Sequence, residues 1–232
     1  MRLDKYVSSV TDYSRAEVKR LLQNGSITVN DSATKNAALQ LNTEKDMICL
    51  FDEPLRAPAP RYFMLNKPVD TICATEDSMH PTVIDLLDEP NSHQLHVAGR
   101  LDKDTTGLVL LTDDGQWSHQ ITSPNKQCVK TYRAELAEAF TDSAKQALEE
   151  GVLLHNEKKL TRPATVNVIN VNCIELSIVE GKYHQVKRML AAVGNHVNQL
   201  HRQQIGTIEL DASLDLGQYR RLTTEEVASV LA

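Results

Sequence analysis

The chain has 232 residues, 41% of them hydrophobic, and 31 acidic against 25 basic side chains give a formal net charge of −6. This length predicts one good core with room for a second small domain. No apolar run approaches the roughly 20 residues that span a bilayer, and no signal-peptide core is visible, so we expect a cytoplasmic protein without a membrane partner. Four widely separated cysteines lack zinc-type spacing, which predicts reduced packing residues and no metal.

The first thirty residues predict two short helices and a strand. Apolar residues recur at helical spacing over Leu3–Val10. Ser14 and Glu17 form a capping box, in which each side chain satisfies an exposed backbone donor at the start of a second helix. Ile27–Val29 then alternates with polar residues as a short strand, and Asn30–Asp31 predicts a turn.

Three segments of this region resemble the S4 RNA-binding module, which presents two helices and a small hairpin to structured RNA. They are Arg2–Tyr6, Ser14–Arg15 and Asn24–Asn30. The resemblance implies a small S4-like RNA-binding domain over residues 1–56. Its predicted RNA-binding side chains are Arg2, Lys5, Arg15 and Lys19. On composition alone, a solvated helix face explains these charges equally well.

Prolines at positions 54, 58 and 60 predict a break in regular structure, with a stiff linker over residues 57–60. Beyond it, residues 61–232 form the predicted second domain. Strands are predicted over 62–65, 108–111, 129–136, 165–169 and 173–179, and helices within 81–90, 117–121, 141–150, 186–193 and 223–231. Because strands dominate and helices interrupt them irregularly, we expect an α+β domain with a largely antiparallel mixed sheet.

The polar segment Gly99–Gly107 precedes the apolar run Leu108–Leu111, which predicts a loop at the mouth of a buried strand. A carboxylate on such a loop is positioned by rigid neighbours, and Asp102 is the candidate. From this local pattern alone, Asp102 could equally be a residue that caps a turn. For Asp104 the turn-capping role is the preferred interpretation.

Residues 181–206 contain no aspartate or glutamate, which is unexpected in a chain this acidic. The segment instead holds Lys182, Lys187, Arg188 and Arg202, and Lys187 and Arg188 project from the start of the predicted helix. Cations at a helix N-terminus are unfavourable unless an anion answers them. The anion could be a ligand phosphate or a protein carboxylate, and for Arg188 simple solvation is as consistent.

Five segments in this order resemble the RsuA-type pseudouridine synthases, bacterial rRNA enzymes that join an S4 module to a catalytic domain. They are Leu65–Pro68, Gly99–Leu108, Lys130–Tyr132, Glu180–Met189 and Leu200–Gly206. The Gly-Arg-Leu-Asp-x-x-Thr-x-Gly pattern in the second segment is highly specific. Two departures are Asp70, where the family usually has glycine, and Lys182, where arginine is frequent.

The resemblance implies that Asp102 is the catalytic aspartate, that Tyr132 stacks on the target uracil and that Lys187 pairs with Asp102. Without it, a strand tyrosine such as Tyr132 is ordinarily core. Arg100 would help to hold the opened RNA strand, and phosphates would be held by Arg100, Arg188, Arg202 and Lys182. Isomerisation of uridine involves no electron transfer or hydrolysis, so neither a cofactor nor a metal is expected. A carboxylate in a dry pocket needs a nearby cation to remain charged, the role assigned to Lys187.

The form of residues 181–188 most resembles the small-subunit member, which predicts 16S rRNA or an assembling small ribosomal subunit as partner of a monomeric enzyme. The same reaction on 23S rRNA or tRNA is the first alternative. A non-catalytic S4-type RNA-binding protein is the second. A metal-dependent hydrolase using Asp102, Asp104 and histidines is disfavoured because no paired-histidine ligand spacing accompanies the acids.

Overall fold

A computed structural model describes residues 1–43, 45–56 and 59–230. The chain divides into two compact units, Met1–Ala59 and Pro60–Ala232. The division falls within the predicted linker 57–60, of which residues 57 and 58 lie outside the described residues. Leu231, placed in the last predicted helix, lies outside them as well. No helix in the described ranges has the length and apolar character needed to cross a membrane.

The first unit packs two helices against a small antiparallel sheet with strand order β2-β1-β3-β4. Its elements are α1 Leu3–Val10, α2 Arg15–Gln23, β1 Ile27–Val29, β2 Ser32–Ala33, β3 Ile48–Leu50 and β4 Glu53–Pro54. The predicted capping box is present, since Ser14 accepts from the Glu17 amide and Glu17 accepts from the Ser14 amide. The predicted turn has positive φ at Asn30 and Asp31 and joins β1 to β2.

The second unit is a large sheet with helices on both faces. Its strands are β5 Tyr62–Lys67, β6 His96–Ala98, β7 Thr106–Thr112, β8 Lys130–Leu136, β9 Thr165–Asn170, β10 Cys173–Ile178, β11 Val197–Ile205, β12 Ile208–Glu209 and β13 Tyr219–Arg221. Its helices are α3 Gly115–Thr122, α4 Asp142–Glu150, α5 Gln185–Ala192 and α6 Thr224–Ser229, with 3₁₀ turns at Ser92–Gln94 and Pro124–Lys126.

The main strand order is β13-β5-β7-β11-β8-β10-β9, with β6 beside β7 and β12 beside β11. Between these strands of the described chain, β7 and β11 pair in parallel and the other pairs are antiparallel. This confirms the predicted α+β class with a largely antiparallel mixed sheet.

The central strand β7 is buried on both faces, which explains the unbroken apolar run Leu108–Leu111. Val109 and Leu111 face a core shared with α4 and α5, whereas Leu108 and Leu110 face a second core with Trp117 and Ile121 of α3. The loop before β7 is therefore anchored to the most deeply buried part of the sheet.

One glycine makes the parallel pair possible. Gly107 lies opposite Arg202 in the register of β7 and β11, and its φ is +104°. A Cβ atom at this position would clash with the backbone carbonyl oxygen of Arg202. The glycine of the sequence pattern thus brings β11 close beside the end of the Asp102 loop.

The helix predicted within residues 81–90 is wrong, because the structure has turns there. The Val83 amide donates to the carbonyl oxygen of Ile72, and Ile72 forms a bridge with Thr82. Asp85 accepts from both the amide and the hydroxyl of Thr82. The Thr82 and Asp85 bonds form a capping box, but the backbone after it continues in turns, and Val83 still packs in the core as expected.

Candidate active site

A buried arginine holds the beginning of the loop that carries Asp102. Arg202 is only 1% exposed, and its guanidinium donates to the carbonyl oxygens of Gly99 at 2.7 Å, Arg100 at 3.3 Å and Leu108 at 2.8 Å. These bonds span both ends of the loop from β6 to β7. The prediction that Arg202 holds RNA phosphate is wrong, because its charge is buried and directed at the protein's own backbone.

A buried lysine holds the other half of the same loop. Lys67 is fully buried at the end of β5, and its ammonium donates to the carbonyl oxygens of Thr105 and Pro68 at 2.9 Å and of Lys103 at 3.3 Å. Burial lowers the pKa of Lys67. The Asp70 amide also donates to the carbonyl oxygen of Lys103. Asp70 has a φ of +62°, the conformation that the family's usual glycine adopts easily. Aspartate tolerates this geometry, so the turn is kept.

Asp102 projects from the middle of this clamped loop and is 27% exposed at its side chain. The ammonium of Lys187, from the first turn of α5, lies 3.3 Å from Asp102 Oδ2 and 2.5 Å from Asp104 Oδ1. His184 Nε2 lies 3.4 Å from the other carboxylate oxygen, Oδ1, of Asp102. The hydrogen bond from Lys187 holds the pKa of Asp104 below its usual value. Asp102 thus lies between two groups that can carry positive charge.

Asp102 opens into a cleft of about 740 Å³, a size typical of small-molecule sites. Tyr132 of β8 is a core residue, 8% exposed as a whole, that also lines this cleft, with the guanidinium carbon of Arg202 at 5.9 Å from its ring centre. Arg100 is exposed at the lip. The cleft therefore combines a carboxylate, an aromatic wall and a basic rim.

Comparison with known proteins identifies the family of this site. Residues 61–192, more than half of the chain, match the family described as RNA pseudouridylate synthase. The chain belongs to this family. Pseudouridine synthases are isomerases of RNA, and the expectation drawn from the five sequence segments is confirmed.

Whole-length relatives support the same assignment. The chain is 53% identical to a protein of Yersinia pestis named "Ribosomal small subunit pseudouridine synthase A", with 99% of this chain and 98% of that protein covered. It is 52% identical to the protein of the same name from Escherichia coli strain K12, over the full length of both. A crystal structure described as a pseudouridylate synthase superposes with a TM-score of 0.73 at 43% identity, covering 99% of both chains.

The metal-dependent hydrolase alternative finds no support in this pseudouridine synthase. Within the described ranges, no three histidine, cysteine, aspartate or glutamate side chains are arranged to hold a metal ion. The acids next to Asp102 face cations instead, as the Asp104–Lys187 pair illustrates. The four cysteines, all within the described ranges, are free.

The acid-free segment does not present an unopposed basic surface. Glu157, more than twenty residues earlier in the chain, pairs with Lys182 at 3.1 Å and with Arg188 at 3.5 Å. Arg188 also donates to the carbonyl oxygens of His155 and Tyr183. Of the two anions considered from the sequence, a protein carboxylate answers these cations. These contacts fix the segment that leads into α5, and direct phosphate contacts by Lys182 and Arg188 stay a prediction.

The first unit has its own cluster of cations. Asp4 is 1% exposed and accepts a two-point bond from Arg2 at 3.0 and 2.9 Å and a third bond from Arg15 at 3.0 Å. These bonds, led by that of Arg2, hold the pKa of Asp4 below its usual value. Lys5 and Lys19 are exposed on α1 and α2. Arg2 and Arg15 stay half exposed, so all four cations face solvent with two of them fixed in place.

Sequence reasoning assigned no role to two residues of the site, Lys67 and His184. His184 is the residue before α5 and has a left-handed backbone conformation, so helical spacing from Lys187 gives no signal for it, although both side chains reach Asp102. Lys67 stands two positions after the core residue Leu65, so a strand directs both side chains to the same buried face.

Proposed function

We propose that this chain converts one uridine of 16S rRNA to pseudouridine, with Asp102 as the catalytic residue. The observation that carries the proposal is the Asp102 carboxylate, 3.3 Å from Lys187 in an open cleft walled by Tyr132. The whole-length similarity to proteins named for the small ribosomal subunit supports the choice of RNA. The enzyme would act as a cytoplasmic monomer on free rRNA or on an assembling small subunit.

The reaction breaks the C1′–N1 bond, turns the uracil within the site, and joins C1′ to C5. N1 gains a proton and C5 loses one, so the product is an isomer and nothing is consumed. Asp102 supplies the carboxylate oxygen that acts beside the sugar, and the ammonium of Lys187 lies 3.3 Å from it. Lys67 and Arg202 hold the loop that carries Asp102 through its backbone carbonyl oxygens, so the carboxylate needs little reorganisation when RNA binds.

The target uridine must leave its stack to reach Asp102, at a cost of a few kcal/mol. The ring of Tyr132 offers a face for the displaced base, and stacking of this kind contributes roughly 1–3 kcal/mol. The exposed guanidinium of Arg100 at the lip would hold the phosphate backbone of the opened strand. This phosphate contact fixes the register of the RNA, and the target base is contacted by the cleft.

The RNA assignment is tested with the purified chain and four substrates: 16S rRNA, assembling small-subunit particles, 23S rRNA and tRNA. Pseudouridines are mapped by chemical labelling and reverse transcription. We expect one new modified position, confined to the two small-subunit substrates. Modification of only 23S rRNA or tRNA would overturn the substrate, and no modification of any RNA would overturn the activity.

Replacing Lys187 by methionine is expected to lower kcat by about 10²- to 10³-fold, because it removes the nearest cation from the Asp102 carboxylate. Lys187→Arg should retain part of the activity, since it keeps the charge with a different shape. Lys158→Met, which removes an exposed cation of the same unit outside the cleft lining, serves as the matched control. Equal losses of kcat in Lys187→Met and Lys158→Met would argue against a specific role for Lys187.

We also propose that residues 1–56 form an S4-like RNA-binding domain whose contacts come from Arg2, Lys5, Arg15 and Lys19. Its support is the exposure of these four cations on α1 and α2 and the fixing of the two arginines by buried Asp4. A helix surface of this kind attracts phosphates without reading bases.

The double variant Lys5→Gln, Lys19→Gln is expected to weaken RNA binding and to reduce the salt dependence of log Kd by about two charges. Saturating kcat should be unchanged, since the cleft is untouched. Lys35→Gln, Lys45→Gln is the matched control, because it removes two exposed charges outside the helices. Filter binding across a salt series measures both doubles, and identical slopes for the two would contradict the proposed surface.

A further inference from the structure

Two aromatic side chains at the rim of the cleft are not used by the mechanism above. Tyr183 and His184 stack nearly in parallel, with ring centres 3.8 Å apart and planes 19° apart. Tyr183 is 76% exposed, and both residues line the cleft that contains Asp102. One face of the tyrosine ring is covered by His184, and its other face is open to solvent.

The backbone of this pair is held in an unfavourable conformation. His184 has φ +46° and ψ +40°, the left-handed region that residues other than glycine adopt uncommonly. The conformation is fixed by Arg188, whose amide donates to the carbonyl oxygen of His184 and whose guanidinium donates to that of Tyr183. Strain of this kind concentrates at functional sites, where the surrounding structure imposes it. Here it directs the imidazole toward Asp102 and leaves Tyr183 projecting beside the cleft.

The surroundings indicate what would cover the open ring. Arg100 and Lys103 are exposed and line the same cleft, so a polyanion that enters toward Asp102 passes cations and then the aromatic pair. Exposed aromatic rings beside basic side chains are the usual arrangement for unpaired nucleotides, since every base has a face that stacks. A rigid ring also loses little conformational freedom on binding.

We infer that Tyr183, backed by His184, is a stacking platform for a base adjacent to the target uridine. The inference rests on the proposed function and extends it to a second nucleotide. The platform would hold the RNA open after the target base has entered the cleft. His184 acts as a positioning residue, since it joins the platform to the Asp102 carboxylate at 3.4 Å. Tyr183 itself contacts the neighbouring base and takes no part in bond making.

The test uses the full-length chain and a short RNA that contains the target uridine. The fluorescent base 2-aminopurine is placed in turn at each position flanking that uridine. Tyr183→Ala should raise KM by about 5- to 100-fold, as expected for loss of one stacked base, with kcat nearly unchanged. Tyr183→Phe should retain the normal KM, because the ring is kept. At one flanking position, fluorescence should be quenched on binding by the wild type and by Tyr183→Phe, and not by Tyr183→Ala.

Leu216→Ala is the matched control, since it removes an apolar side chain that is 57% exposed on the same unit and outside the cleft lining. Thermal melting of each variant verifies that it is folded. Provided that the wild type forms product, an unchanged KM and unchanged quenching in Tyr183→Ala would overturn the platform. A loss of kcat at constant KM would overturn it too, because it would place Tyr183 in the chemistry. Failure of the wild type to modify any RNA would instead refute the proposed function.

Discussion

Asp102→Asn is expected to lower the rate of pseudouridine formation by about 10⁴-fold or more, the scale seen when the central group of a catalytic site is removed. Asparagine keeps the shape of the side chain but has no negative oxygen to act beside the sugar. The loop should remain in place, because Lys67 and Arg202 hold it through backbone carbonyl oxygens. The assay is release of tritium from RNA labelled at uridine C5, since the reaction frees that hydrogen.

Asp104→Asn provides the matched control for this loss. It removes the same charge two residues away on the same loop, and both carboxylates bind Lys187. Because Asp104 is largely exposed, we expect its loss to reduce the rate by no more than about tenfold. RNA affinity should be preserved in both variants. Retention of product by Asp102→Asn, or equal losses in the two variants, would refute the assignment of Asp102.

The local elements of the chain were predictable from spacing and capping. The capping box at Ser14 and the buried run Leu108–Leu111 each specify one structure through nearby residues alone. The segment around Val83 was not, because its amide bonds to Ile72 in a bridge between separate parts of the sequence. The local apolar pattern around Val83 does not show that a backbone group elsewhere in the sequence will bind its amide.

The charged groups of the site show the same limit. The Asp102–Lys187 pair joins side chains 85 positions apart, and the family pattern anticipated it. Burial of Arg202 was missed, because a basic residue in an acid-free segment suggests a surface for anions. Its position in β11 held the relevant signal: Arg202 lies two residues after the core residue Leu200, so both side chains point to the same face. A cation placed among core positions of a strand indicates a buried partner.

Arg202→Met is expected to destabilise the second unit by several kcal/mol, because each buried carbonyl oxygen left without its donor costs about 1–3 kcal/mol. The methionine fills much of the space, yet the carbonyl oxygens of Gly99, Arg100 and Leu108 lose a donor within the protein. Thermal unfolding should shift downward by about 10 °C for a unit of this size. Arg202→Lys should recover only part of this, since one ammonium cannot reproduce the planar set of donors.

The comparison variant is Arg221→Met, which removes an arginine whose side chain is 65% exposed and paired with Glu89 at 3.0 Å. A surface pair of this kind contributes about 0–1 kcal/mol. Arg202→Met should also lose kcat, because Asp102 is carried by the loop that Arg202 holds. The amide of Thr105, which donates to the backbone carbonyl oxygen of Asp102 within this loop, should exchange hydrogen faster. If Arg202→Met unfolds at the same temperature as Arg221→Met but loses RNA affinity, Arg202 contacts RNA after all, and the clamped loop is not what positions the catalytic carboxylate.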